Sequence, residues 1–500
     1  MAKYDEVIEW ALRRSIFYPA SEIYNGPSGL WDFGPYGEAI RRKVINLWRK
    51  EFVQKEDMLE IYGAQIMPEG VFKASGHLKS FNDPFVGCKK CKTLHRADEL
   101  ISNAIKKHIP EATEDKELDN LIKKNKIKCT RCGGELSDVK RFNMLVKATI
   151  GLTKESNCYL RPEACQSIFL DFERMMKTMR VKLPKGIAQV GRAFRNEISP
   201  RQSLYRQVEF SQFEAEVFFN PDKINEIENF NDVKNYKVRV LLLNKNKVED
   251  ISAVELFNKK IVSGKLIAYY LARTQQLYER YGIPREKIRF RQIDKDERPF
   301  YSKETFDLEI ETSLGWIEVI ANNYRADYDL KGHAEGSKKD LSVTEDGKKF
   351  IPHVWEISGG VDRTFFAIID NAFKKDKIEK EERIVLALNP KLAPHDTAIL
   401  PLVNKDGLPQ KAKEILNLLK EDFDAFYDDS GSIGRRYRRL DEIGVTGEIT
   451  VDYDTLKDKM VTIRDRDSTH QIRVKINDLK DILSKFLKGE RLEKLGKLIK

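Results

Sequence analysis

The chain has 500 residues and a heavily charged composition, with 89 Lys and Arg against 79 Asp and Glu, a net charge of +10. That length predicts roughly two to four domains with ample core for each, and the modest basic excess is compatible with a nucleic-acid partner without requiring one. No apolar run approaches about twenty residues, which excludes a helical membrane span; four of the six cysteines fall in two CxxC pairs, which points to metal ligation in a reducing compartment and away from a disulfide framework.

The amino-terminal segment MAKYDEVIEWALRRS lacks the apolar stretch of a signal peptide, so the expected compartment is the cytoplasm. Residues 4–16 read as a short helix with Val7, Ile8, Ala11 and Leu12 on one side, and a turn-rich segment, Asn25–Gly37, follows. Ile40, Val44, Leu47 and Trp48 then recur at helical spacing, ahead of a strand expected at Leu59–Met67 and closed by Pro68. Cys88 and Cys91 form one knuckle, Cys129 and Cys132 a second. Two intervening residues let both thiolates of a pair reach one tetrahedral ion, and four protein ligands make a closed, structural site. The 37-residue spacer (92–128) requires an inserted helical segment to bring the pairs together. Cys158 and Cys165 stand apart as expected buried thiols.

Asn157–Met179 reads as Arg161-Pro162-Glu163 opening a helix with Ile168, Phe172, Met175 and Met179 inward; Glu163 could be a simple helix-dipole residue. Gln189–Phe219 reads as strand, long loop and returning strand. On the return, Gln212, Glu214 and Glu216 alternate with Phe213, Ala215 and Val217, which places the polar groups on one sheet face and the apolar ones on the other. Arg195 and Glu197 are expected on one face of the outgoing strand, and the loop between carries Arg201 and Arg206. Cations at both ends of a loop over a carboxylate floor suit a polyphosphate and an amine; an amphipathic hairpin with a solvated charged face is the plain alternative.

Asn220–Arg291 reads as charged and irregular, with apolar islands at Val238–Leu243 and Leu266–Leu277. Glu318 falls on an expected strand, either as a surface carboxylate or as a metal ligand. Phe350–Phe373 reads as strand, Gly-Gly turn and helix, with Asp362 a candidate cap and His353 structural. Lys374–Glu382 is the expected linker. Beyond it strands and helices alternate at Thr397–Val403, Gln410–Glu421, Phe423–Tyr427, a basic helix, Ile449–Tyr453 and Met460–Arg464, an α/β pattern. In GSIGRRYRRLDEIG (Gly431–Gly444) four arginines surround Tyr437, which either stacks on an unpaired base or packs inward under a solvated charged face.

FRNE, a loop, an arginine and an acidic strand resemble motif 2 of the class II aminoacyl-tRNA synthetases. The longer texts YLRPEACQSIF, AFRNEISPRQSLYRQVEF and SGHLKSFNDP resemble the dimeric glycyl-tRNA synthetases of archaeal and eukaryotic type. The resemblance implies an α+β fold: a class II catalytic domain (1–378) with an antiparallel sheet flanked by helices, a zinc-ribbon-like insertion (85–140) and a second insertion (221–314), then an α/β anticodon-binding domain (379–500). The helix, strand and Pro68 would be motif 1 and the homodimer interface. Arg195 would hold the α-phosphate and the substrate carboxylate, Glu197 the adenine amino group, Arg206 and Arg363 the outer phosphates. Phe210 would join the ATP site, and Glu318 would help hold magnesium. Glu163, Glu214, Glu356 and Ser358 would form the glycine pocket; Cys88, Cys91, Cys129 and Cys132 would bind structural zinc. Arg435, Arg436, Arg438 and Arg439 would contact tRNA. Glycine, ATP and tRNA are the implied partners, with no membrane or DNA. Asp362 departs from the family's usual glycine and Ile357 from a frequent proline, which puts the local geometry of motif 3 in question. A class II synthetase for another amino acid and a non-catalytic, synthetase-like nucleic-acid-binding protein are the alternatives. The chain holds neither HIGH nor KMSKS, and no segment resembles an editing domain.

Overall fold

The computed structural model describes residues 3–107, 109–110, 113–151, 156–198, 200, 202–378 and 381–499; Arg201 lies outside them. A nine-stranded sheet organises the amino-terminal three-quarters of the chain. From one edge its strands are Glu249–Ser252, Lys237–Leu241, Ile288–Gln292, Thr305–Thr312, Gly315–Ala326, His353–Gly360, Glu209–Phe219, Lys185–Phe194 and Leu59–Glu60. Neighbours run antiparallel except at two junctions, Lys237–Leu241 with Ile288–Gln292 and Lys185–Phe194 with Leu59–Glu60.

The period-two pattern of Glu209–Phe219 decides which face is core. Phe213, Ala215 and Val217 are buried in the main hydrophobic cluster with residues of three helices, Pro35–Trp48, Lys265–Arg280 and Val361–Ala372. The Trp48 and Phe213 rings stack at 5.3 Å. Gln212, Glu214 and Glu216 therefore point to the opposite face, under the helices Gln166–Thr178 and Tyr328–Ser337.

Four local expectations change. The strand expected at Leu59–Met67 is broken into Leu59–Glu60, on the main sheet, and Ile66–Pro68, which pairs with Ser156–Leu160. The outgoing strand of the motif 2 hairpin ends at Phe194, so Arg195 and Glu197 sit in the following loop. Residues 220–291 are regular: Val238, Val240, Ile288 and Phe290 face the main core while Arg239, Arg289 and Arg291 face outward in ion pairs, so this segment extends the central sheet. The expected linker at Lys374–Glu382 is a hairpin, Phe373–Ile378 with Glu381–Leu386.

The cysteine-bearing insertion is a small unit on a three-stranded sheet (Leu94–Arg96, Asn82–Gly87, Lys140–Asn143) with helices Ala97–Ile105 and Asp115–Lys124 packed around Val86, Ile101, Leu118 and Ile122. The carboxy-terminal unit is a six-stranded sheet in the order Ala425–Tyr427, Thr397–Pro401, Gly447–Val451, Met460–Asp465, Gln471–Lys475, Lys497–Ile499. Its first three strands are parallel, with helices Leu408–Leu419 and Ile433–Ile443 as connections. Among the described residues, no helix is long and apolar enough to cross a membrane.

Candidate active site

Sheet register builds the pocket. Glu214 lies opposite Gln189 on one side and Ser358 on the other; Glu216 lies opposite Glu356, which lies opposite Asn323. Residues directly opposite share a face, so one row is Gln189–Glu214–Ser358 and the next is Glu216–Glu356–Asn323. The segment Arg161–Gln166 is hung over these rows by two amides. Gln212 Oε1 accepts from Ala164 N at 3.0 Å, while Gln189 Nε2 donates to Ala164 O and its Oε1 accepts from Gly63 N at 2.6 Å. Arg161, fully buried, donates to Arg192 O (2.8 Å) and Ser167 Oγ (3.2 Å). A Cβ at residue 191 would come within 2.1 Å of its guanidinium, which is why Gly191 occupies the strand there. The helix begins only at Gln166, so Glu163 sits in the preceding turn and looks into the pocket; it is not a first-turn dipole residue.

Glu163, Glu214 and Glu356 thus converge, all buried, and their surroundings differ. Ser358 Oγ donates to Glu214 Oε1 at 2.8 Å, and Glu214 Oε2 has no hydrogen-bond partner. Burial, then the charges of Glu356 and Glu163, push the Glu214 carboxyl well above its ordinary range. Glu356 accepts from Arg325 Nη1 at 2.5 Å and Asn323 Nδ2 at 2.6 Å; burial raises it to about 7 against the pull of Arg325. Burial also works against ionised Glu163, but His77 (Nε2 to Oε2, 3.4 Å), Arg325 and Arg195 (3.7 Å) outweigh it and hold that carboxyl well below the usual range. The site is an anionic socket with one ionised member and two that can take up or release charge.

Arg325, which the sequence reading did not single out, is the hub. It is fully buried, forks onto Asp329 at 2.6 and 2.7 Å, and lies 3.8 Å from the Tyr301 ring centroid. An Arg and an Asp four residues apart in NNYRADYD was the available signal, but such pairs are common on exposed helices. Its burial comes from strands remote in sequence.

The arginines stand beside the socket. Arg195 donates to Pro162 O at 3.2 Å and lies between the rings of Phe81 and Phe210, at 5.5 and 5.4 Å. Arg363 donates to Tyr205 O at 3.0 Å, stacks on Tyr205 at 4.7 Å and comes within 3.7 Å of Glu318. Arg206 is held by Glu99 of the cysteine-bearing insertion at 2.7 Å and lies 3.9 Å from Glu197. Asp362 does not cap the following helix. Its Oδ2 accepts from Ser211 N (2.9 Å) and Gln207 Nε2 (3.2 Å), and Arg41 lies 3.5 Å from its Oδ1. That buried aspartate ties motif 3 to motif 2 with its charge balanced by Arg41. His353 Nδ1 lies 2.7 Å from Tyr324 Oη.

The four knuckle cysteines meet, their sulfurs all within 4.8 Å of one another; Cys88–Cys132 is 3.4 Å and Cys91–Cys129 3.6 Å. Thiolates around zinc at about 2.3 Å stand about 3.8 Å apart, so the donor set fits a tetrahedral ion. Gly133 takes the left-handed turn (φ 67°), and a Cβ at Gly134 would approach Cys88 Sγ at 2.9 Å. Hydrogen bonding at Thr93 lowers the Cys91 thiol to about 6, whereas Cys132, despite a backbone hydrogen bond at Gly134, is pushed up to about 11 by the neighbouring Cys91 and Cys88. His95 Nε2 lies 3.2 Å from Cys129 Sγ, a neighbour the sequence did not reveal. Cys158 and Cys165 are both buried and free.

In the carboxy-terminal unit the arginine helix differs from expectation. Arg436 is buried and donates to the carbonyls of Pro401, Asp429 and Gly431, so it braces a loop and is not on the surface to meet RNA. Arg439 pairs with Asp428 at 2.7 Å. Arg438 is half-buried, and Arg435 is exposed. Tyr437 packs inward, its Oη 2.6 Å from Thr450 Oγ1 and its ring under Arg464.

Residues 396–486 match the family model for the anticodon binding domain. Along its length the chain is 36% identical to the glycine–tRNA ligase of Methanothrix thermoacetophila, covering 98% of each protein. It is 37% identical to that of Methanocaldococcus jannaschii (97% of this chain, 99% of that protein) and 36% identical to that of Pyrococcus horikoshii (97% and 99%). An acidic socket flanked by three arginines on an antiparallel sheet, an anticodon-binding unit and end-to-end likeness to these enzymes converge: the chain belongs to the glycine–tRNA ligase family of class II aminoacyl-tRNA synthetases.

Proposed function

We propose that this chain activates glycine with ATP and transfers it to the 3′ end of its tRNA, with the residues above in the following roles. Glu163, Glu214 and Glu356 surround the glycine ammonium, and Arg195, held between Phe81 and Phe210, takes the glycine carboxylate and the α-phosphate. The carboxylate oxygen attacks the α-phosphorus in line and pyrophosphate leaves; the terminal ribose hydroxyl then attacks the glycyl carbonyl and AMP leaves. No protein nucleophile is required, so the rate comes from positioning and from charge facing the phosphoryl oxygens. Arg363 and Arg206 serve the outer phosphates, the latter after release from Glu99, and Glu197 meets the adenine amino group. Magnesium would neutralise the triphosphate, and Glu318, a partly exposed oxygen donor beside Arg363, suits that hard cation.

The observation that carries the reading is Ser358 bonded to Glu214 on the pocket floor. An ammonium fits among the carboxylates, while a substrate methyl group would crowd that pair. Excluding larger side chains needs only steric closure, whereas rejecting a smaller rival is worth about 1–3 kcal/mol per methylene and can demand editing. Zinc at the four cysteines, a homodimer and a cytoplasmic location complete the reading. The test is exchange of labelled pyrophosphate into ATP with each of the twenty amino acids in turn. Exchange with glycine alone is expected; exchange with a different amino acid would overturn the specificity, and none at all would favour the accessory-protein alternative.

A further inference from the structure

Glu216 has no part in the scheme above, yet it is the most isolated charged-type side chain in the pocket. It is fully buried, and neither carboxylate oxygen has a hydrogen-bond partner. Its strand sets it opposite Glu356, and one oxygen each from Glu216 and Glu356 lies within 4.8 Å of the other and of Cys165 Sγ. The groups facing it are Glu214 from its own strand, Glu356 from the next, Arg325 from the strand beyond, Asp329 from the helix above and the buried Cys165 thiol from the Arg161–Gln166 turn.

Four of these five are acidic or thiol groups. The cation, Arg325, already gives two donors to Asp329 and one to Glu356. An ionised carboxylate without a donor or counter-ion is untenable in such a place; a neutral acid is not. A neutral acid brings one O–H to place. Glu356 offers the cross-strand acceptor, already held by Asn323 and Arg325 but able to take a third bond. The terminal torsion of glutamate is broad, so rotation of the side chain can bring oxygens that lie within 4.8 Å to hydrogen-bond distance.

We propose that Glu216 is a positioning residue of the glycine pocket: a neutral carboxylic acid that donates its O–H to Glu356, fixing that carboxylate toward the substrate ammonium and leaving Glu356 the one to ionise. The inference rests on Glu356 being an ammonium ligand. It assigns Glu216 a duty opposite to that of its neighbours, since it must be uncharged where they must be able to carry charge. Burial and the adjoining carboxylates, which push Glu216 far above the ordinary range, agree with that duty.

The test is steady-state pyrophosphate exchange with the full-length enzyme carrying Glu216→Gln or Glu216→Leu, with Glu356→Gln as reference. Glutamine keeps the shape and a donor but cannot ionise. It is expected to hold the glycine KM within about threefold of wild type, while leucine, which leaves Glu356 short of a donor, raises KM by about tenfold or more with a smaller effect on the ATP KM. The infrared spectrum of the glycine-bound enzyme, taken as wild type minus Glu216→Gln, should show a protonated-carboxyl C=O band from Glu216. If glutamine is as damaging as leucine, the charge of Glu216 is what the pocket uses and the proposal fails; it also fails if leucine leaves the glycine KM unchanged. Should Glu356→Gln leave the glycine KM unmoved, the pocket assignment itself falls, an outcome separable from either result at Glu216.

Discussion

Replacing Arg325 with methionine would leave Glu356 and Asp329 buried with no cation between them. Removing one partner of a buried ion pair costs about 3–5 kcal/mol, because the charge left behind is uncompensated. Arg325→Met should therefore lower the unfolding free energy by an amount of that order, seen as a lower denaturant midpoint in equilibrium unfolding. Arg325→Lys, which keeps the charge but not the fork onto Asp329, should fall between the two. A second consequence at this scale concerns pH. Glu356 sits at about 7 in the ligand-free protein, above the ordinary glutamate value of about 4.3. The folded state thus keeps a proton that the unfolded chain gives up, so this group costs stability progressively as pH rises from about 4.3 to about 7, and no more beyond that. Glycine reverses the preference, since its ammonium favours the ionised carboxylate. The glycine KM should fall as pH rises to about 7 and then level off, changing by about tenfold per unit well below 7. Glu356→Gln should flatten that profile.

Among the elements, the motif 2 return strand was fully legible, because alternation over Gln212–Val217 needs only the period of a strand to assign its two faces. The strand Gly315–Ala326 was legible as a strand, but not for Asn323 and Arg325, whose importance depends on what lies beside them across the sheet. In residues 220–291 the apolar island at Val238–Leu243 was visible, but not that it is a strand, because its pairing partners Glu249–Ser252 and Ile288–Gln292 are short and lie among charged residues. The two knuckles were legible from spacing, whereas the contact between the insertion and motif 2 was not, as Glu99 and Arg206 are over a hundred residues apart. That contact has a measurable effect. In the role proposed for it Arg206 leaves Glu99 to meet a triphosphate, and a half-exposed ion pair is worth about 0.2–1 kcal/mol. Glu99→Gln should lower the ATP KM by about two- to fivefold, with a smaller gap from wild type at high salt, while Arg206→Ala should raise it. For the metal, strong chelation should release one zinc per chain and increase hydrogen exchange across 85–140 first, since the hydrophobic core there is small.

At the scale of the whole molecule, the carboxy-terminal unit is bolted to the catalytic body. Asp441, fully buried, accepts from Arg383 of the connecting hairpin at 2.9 Å and from Arg464 at 2.9 and 3.1 Å, and Arg464 also meets Glu448 at 2.7 Å. The amino-terminal helix adds Trp10 Nε1 to Glu442 O at 3.1 Å and Arg14 to Glu442 at 2.5 Å; Lys43 reaches Ala393 O at 2.7 Å. In sequence these are ordinary charged residues, and the arginine helix looked like an RNA-reading surface because nothing local distinguishes Arg436, which is buried, from Arg435, which is exposed. A rigid joint fixes the distance between the site that grips the anticodon and the site where glycine is transferred, so loosening it should harm only the step that spans both. Asp441→Leu removes the acceptor shared by Arg383 and Arg464 without touching the catalytic sheet. Glycine-dependent pyrophosphate exchange should stay within about twofold of wild type, while tRNA charging falls by about tenfold or more, as a buried network losing its centre costs several kcal/mol at the joint. An equal fall in both activities would mean that the network holds the whole fold together and not the spacing of its two sites.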